Sequence, residues 1–115
     1  MMQERQFKAS ISLHKAITSF LEAGYLVFNN VSEQGSIDII IVNPYNGDPT
    51  YVDVKTASPR SLDKRKKYGN YCGGKLKPKQ KELGVKLFLV NKERAWFTNT
   101  DGIKSIKTNE KGELI

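Results

Sequence analysis

Cysteine and histidine each occur once, as Cys72 and His14, and no uninterrupted apolar run exceeds four residues. An internal disulfide is impossible, a Cys-rich zinc site is excluded, and the cysteine usage fits a reducing cytosol. A membrane-spanning helix needs roughly 20 apolar residues. A run such as Ile39 to Val42 is far too short for that, and the polar opening MMQERQ does not read as a signal peptide. The expectation is a soluble cytoplasmic protein, or one of the host cytoplasm if the source is a phage, with no membrane partner. Acid is scarce where base is dense. Between residues 60 and 81, Arg60, Lys64, Arg65, Lys66, Lys67, Lys75, Lys77, Lys79 and Lys81 face Asp63 alone, so this stretch carries +8, and in a chain of net charge +7 the remainder sums to −1. Charge concentrated in this way builds an attractive potential for a polyanion, and nucleic acid is the commonest such partner.

With 115 residues, 38% of them hydrophobic, the chain is expected to form one domain over residues 1–115 with one core. Phe7, Ile11, Leu13, Ile17, Phe20 and Leu21 recur at helical spacing between Glu4 and Ala23, which predicts a long amphipathic helix stopped by Gly24. Tyr25 to Phe28, Ser36 to Asn43 and Thr50 to Thr56 read as strands, the last two joined by a hairpin loop carrying Asn46-Gly47. Residues 57 to 77 predict a long, mobile, basic loop. Pro78 to Leu83, ended by Gly84, predicts a short helix, and Val85 to Val90 with Arg94 to Thr98 predict two further strands. The tail from Asp101 to Ile115 predicts a short helix or strand. This order gives an α/β fold with a mixed five-stranded sheet flanked by helices.

Three residues stand out in that frame. Alternation along a strand sends Asp53 and Lys55 to one face and Val54 to the other, and the hairpin brings Asp38 within reach of Asp53. The six-residue connection leaves the register open by one or two places. Asp38 interrupts the apolar run Ile37 to Val42, and Asp53 stands between Val52 and Val54; a carboxylate so placed is costly unless paired, liganded or exposed at a rim. Two carboxylates holding a divalent cation beside a phosphodiester, with the Lys55 ammonium about 6.5 to 7 Å along the strand to orient water or offset phosphorane charge, would explain the pattern. A cross-strand pairing of Asp with Lys would explain it as well.

The helix, Gly24-Tyr25-Leu26-Val27-Phe28, Gly35-Ser36-Ile37-Asp38 and Val52-Asp53-Val54-Lys55-Thr56 together resemble the PD-(D/E)XK nuclease superfamily. Within it they resemble the small archaeal-type Holliday junction resolvases and related phage and restriction-like nucleases, over about residues 10 to 90. The resemblance implies a restriction-endonuclease-like core and Mg²⁺-dependent hydrolysis of phosphodiester bonds in duplex or branched DNA. It also implies Asp38 and Asp53 as catalytic acids and metal ligands, the Val54 carbonyl as a further ligand and Lys55 as the catalytic lysine. Gln80 resembles a position where many members carry a glutamine or lysine near the metal; a solvated helix face is the alternative for it. The motif's proline is Ile37 here. Leu13 stands where many relatives carry a helix-one glutamate, with His14 beside it as either a packing residue or that glutamate's replacement, and a softened metal shell would favour Mn²⁺.

Arg60, Lys64, Arg65, Lys66, Lys67, Lys75, Lys77 and Lys79, interleaved with Tyr68 and Tyr71, are the expected nucleic-acid contacts, cations for phosphates and rings for bases. A solvated loop, disordered without DNA, is the plainer alternative. One active site per chain cuts both strands most simply as a homodimer. The rival function is a non-catalytic nucleic-acid-binding module that keeps the nuclease fold; a small basic RNA-associated protein is a third.

Overall fold

A computed structural model describes residues 4–32, 34–59, 71–72 and 74–115. Helix α1 spans Glu4–Glu22, and strands β1 (Leu26–Asn29), β2 (Ile39–Val42) and β3 (Pro49–Thr56) follow as a meander. A small ribbon pairs β4 (Ser58–Pro59) with β5 (Tyr71–Cys72), and then come helix α2 (Pro78–Glu82) and strands β6 (Lys86–Val90) and β7 (Ala95–Phe97). The main sheet runs β1-β2-β3-β6-β7, antiparallel throughout except for the parallel pair β3 and β6. The expected α/β architecture with a mixed five-stranded sheet is what forms.

The two helices of the described residues end in the same way. Gly24 and Gly84 take positive φ, +94° and +75°, and the next amides, Tyr25 N–H and Val85 N–H, reach back to the carbonyls of Phe20 and Gln80 at 3.0 and 2.9 Å. These bonds satisfy carbonyls that the helix end would leave bare.

Helix α1 covers one face of the sheet. Ala16 and Phe20 are fully buried with Ile39, Ile41, Val52, Phe88, Val90 and Phe97, while Leu13 and Ile17 pack partly against them. The Phe20 ring lies 4.8 Å from that of Phe88 and 5.9 Å from that of Phe97. Phe20→Ala should therefore cost about 3 to 5 kcal/mol, read as a lower urea midpoint at unchanged slope; an unchanged midpoint would contradict this packing. Phe7, Ile11 and Leu21, expected on the apolar stripe, are each more than half exposed. Alanine at position 16 brings the helix close to the sheet, and the three larger side chains lie outside the contact.

The opposite face carries a smaller cluster of Ala57, Leu87, Leu89 and Trp96, with Leu76 against it. Beyond β7 the tail forms no helix or strand, contrary to expectation, but turns and one isolated bridge between Thr108 and Leu114. It lies along β7, where Phe97 N–H donates to the Gly112 carbonyl at 2.8 Å. A Cβ at Gly112 would collide with the Phe97 carbonyl, so the approach needs glycine. Within the segment read as a mobile loop, the β4–β5 ribbon is ordered backbone; residues 60–70 lie outside the described residues, and the expected mobility with them.

Candidate active site

The site forms where β2 begins and β3 nears its end. Ile39 is the ladder partner of Val52, and the amide of Asp38 also donates to the Val52 carbonyl at 3.0 Å. Two residues of one strand thus face one of the other, which is a β-bulge, a device that re-aims a side chain. Here it turns the Asp38 carboxylate toward β3, where Oδ2 accepts the Val54 amide at 2.7 Å. The N–H and C=O of a strand residue leave on the same edge, so the Val54 carbonyl also points past the end of β2.

Asp38 is held from behind by a residue that sequence reasoning passed over. The Asn30 amide donates to the Asp38 carbonyl at 3.0 Å, and its side chain donates to the carbonyls of Ile37 and Gln34 at 2.9 and 2.7 Å. The sequence signal was a second asparagine in a turn that ends in Gly35, a residue type able to tie its own loop together.

Asp53 is 4% exposed. Burial pushes its carboxyl up from 3.8 to about 6, the neighbouring Asp38 carboxyl adds to the rise, and Lys55 and Gln80 oppose it. Its Oδ2 is buried without a hydrogen-bond partner. The Lys55 ammonium, 3.8 Å away and on a side chain half exposed to solvent, is an ion-pair neighbour beyond hydrogen-bonding reach. A buried carboxylate oxygen left bare beside a second carboxylate calls for a proton or a cation.

Gln80 is buried, not on a solvated helix face. Its Oε1 accepts the Lys77 amide at 2.8 Å, its Nε2 donates to the Ser36 carbonyl at 3.0 Å, and its side chain favours the ionised form of Asp53. It ties the start of α2 to the segment leading into Asp38. Lys75, Lys77 and Lys79, close to Gln80 in the chain, are exposed, and Lys79 lies 3.8 Å from Glu82.

His14 lies elsewhere. It is exposed, contrary to a packing role, and lines a groove of about 950 Å³ between α1 and the β6–β7 turn that includes none of Asp38, Asp53 or Lys55. Leu13 packs against the core. Arg60, Lys64, Arg65, Lys66, Lys67 and Tyr68 fall outside the described residues, and Tyr71 is placed only as backbone of β5.

The donor set suits a hard cation. Among the described residues no three His, Cys, Asp or Glu side chains gather as a metal cage, and magnesium binds through one or two carboxylates while keeping waters for substrate oxygens to replace. Asp38, Asp53 with its bare Oδ2, and the Val54 carbonyl meet that requirement. Among the described residues no helix is long and apolar enough to cross a membrane.

No protein-family model and no curated protein matches the sequence. Among solved structures, the chain superposes on the bacterial homing endonuclease I-Ssp6803I with a TM-score of 0.63, over 97% of this chain and 83% of that one, at 17% identity. The mixed five-stranded sheet with its flanking helices is thus a fold that this chain shares with an endonuclease.

Proposed function

We propose that the chain is a metal-dependent endodeoxyribonuclease that hydrolyses phosphodiester bonds in duplex or branched DNA. The observation that carries this reading is the bare, buried Oδ2 of Asp53 lying beside Asp38 and the Lys55 ammonium at one end of the sheet. The similarity in fold to a homing endonuclease supports it.

Asp38, Asp53 and the Val54 carbonyl would hold Mg²⁺, or Mn²⁺ in its place. Bound there, the ion supplies neutralisation of a phosphoryl oxygen and acidification of water. The chain's own groups do the rest. Lys55, half exposed and two residues from Asp53, can hydrogen-bond the attacking water or offset charge on the phosphorane. Gln80 and Asn30 both fix the segment that carries Asp38. Lys75, Lys77 and Lys79 line the approach with positive charge that phosphates would meet.

Plasmid, linear duplex and four-way-junction DNA incubated with Mg²⁺, Mn²⁺ or EDTA test the reading. Metal-dependent nicking that EDTA abolishes is expected, with branched DNA preferred as in a Holliday junction resolvase because among the described residues no helix presents an array of side chains suited to base edges. DNA binding without cleavage in either metal would instead favour a non-catalytic binding module, the reading that Leu13 packed against the core, with no helix-one acid in its place, would support.

The basic segment has a separate expectation. Alanine at Lys64, Arg65, Lys66 and Lys67 should weaken binding to all sequences alike and flatten the salt dependence by up to about 0.9 per lost phosphate contact. An unchanged salt slope would make that segment a solvated connector.

A further inference from the structure

The two edges of the sheet are treated differently. At β7 the tail runs alongside, with Phe97 N–H bonded to Gly112 and a glycine where any side chain would clash. At the other edge, among the described residues, β1 pairs with β2 alone, and no backbone group of Leu26–Asn29 bonds to anything beyond β2. Edge strands are normally blunted with lysine, proline or a bulge. The sequence Leu26-Val27-Phe28-Asn29 has no charge and no proline, and its four residues pair with β2 in unbroken register.

The face of β1 that α1 leaves uncovered is apolar as well. Leu26 and Phe28 are 48% and 55% exposed and stand opposite half-buried Val42 and Ile40, which in turn stand opposite Pro49 and Tyr51. These six residues form two uncharged rows that end just before Asp38 and Asp53. In a chain of net charge +7, an uncharged patch is where a like-charged molecule meets least repulsion, and it offers nothing to a phosphate backbone.

We infer that β1 is a self-association edge, taken up by the antiparallel β1 of a second copy across a two-fold axis. The two sheets join into one, and the Leu26 and Phe28 side chains of both copies pack together. A register centred on Val27 sets each Leu26 opposite the other copy's Phe28, an apolar cross-strand pair made twice. Four residues provide only a few ladder bonds, so the dimer depends on those side chains. The arrangement deepens the proposed nuclease reading, since two sites on one continuous sheet can act on both strands, but the association does not require that reading.

Sedimentation equilibrium of the full chain at tens of micromolar tests it. The wild type should show twice the 13.0 kDa chain mass. Leu26→Lys and Phe28→Lys should each give the single-chain mass with unchanged circular dichroism, and Phe28→Tyr should keep the dimer. If a lysine variant loses its fold, Leu26→Ser serves as the milder probe and should weaken dimerisation at least tenfold. A wild type that is monomeric throughout overturns the inference, as does a dimer indifferent to both lysines. On plasmid DNA the monomeric variants should still nick but linearise poorly. Absence of nicking in the wild type would count against the nuclease reading and leave the mass result to stand by itself.

Discussion

Replacing Lys55 with alanine should lower metal-dependent nicking by about 10² to 10³-fold while leaving metal binding and fold in place. The lysine is half exposed, and its Nζ lies 3.8 Å from a carboxylate that already has other neighbours, so its removal takes little packing from the core. On the proposed mechanism what is lost is a cation next to the position where charge develops on the phosphorane, a contribution of that size in preorganised sites. Asp53→Asn should be more severe, by roughly 10³-fold or more, because in the proposed site it removes both a metal oxygen and its charge. The two variants are thus told apart by metal affinity, retained in one and lost in the other. Single-turnover nicking beside calorimetric metal titration makes the comparison. Wild-type nicking in both variants would mean that a contaminant cuts the DNA.

The same aspartate should make the protein more stable when it is replaced. Its carboxyl lies at about 6 against 3.8 ordinarily, so between pH 4 and 6 the folded state holds a proton that the unfolded state has released. Stability contributed by this group therefore falls as pH rises through that window. At about 1.4 kcal/mol per pH unit, keeping Asp53 ionised above pH 6 costs on the order of 3 kcal/mol. Asp53→Asn should remove that slope and raise the metal-free Tm at pH 8 by on the order of 10 °C, gaining stability where activity is lost. Mg²⁺ should raise the wild-type Tm at pH 8 more than at pH 5 and should not raise that of the variant. Thermal melts at pH 4.5, 6 and 8 measure all of this. A wild type that grows more stable from pH 4.5 to 8 while the variant keeps the same slope would contradict it.

Much of this architecture is legible in the sequence because it rests on local signals. The glycine after α1, the Asn-Gly loop and the period-two runs each encode an element through backbone preference or alternation, and those elements form within a residue or two of expectation except β2, which begins at Ile39, three residues after the expected Ser36. What is not legible depends on distant partners. The apolar residues of α1 do not announce that Phe7, Ile11 and Leu21 face outward, since only the depth at which Ala16 seats the helix decides it. The bulge at Asp38 leaves no mark in the sequence, yet it turns a carboxylate toward Val54 and resolves the open register of the hairpin. Gln80, on a helix of five residues, reads as a surface residue until Ser36, 44 positions away, is placed against it. The parallel pairing of β3 with β6 on the side away from β2 is of the same kind.

Titrating Mn²⁺ into wild type and Asp53→Asn by calorimetry, with paramagnetic resonance to count the bound ion, tests the central claim most directly. One ion per chain held by the wild type and lost in the variant is the predicted result. No bound ion in the wild type, or equal binding by both proteins, would contradict a metal centre at Asp38 and Asp53.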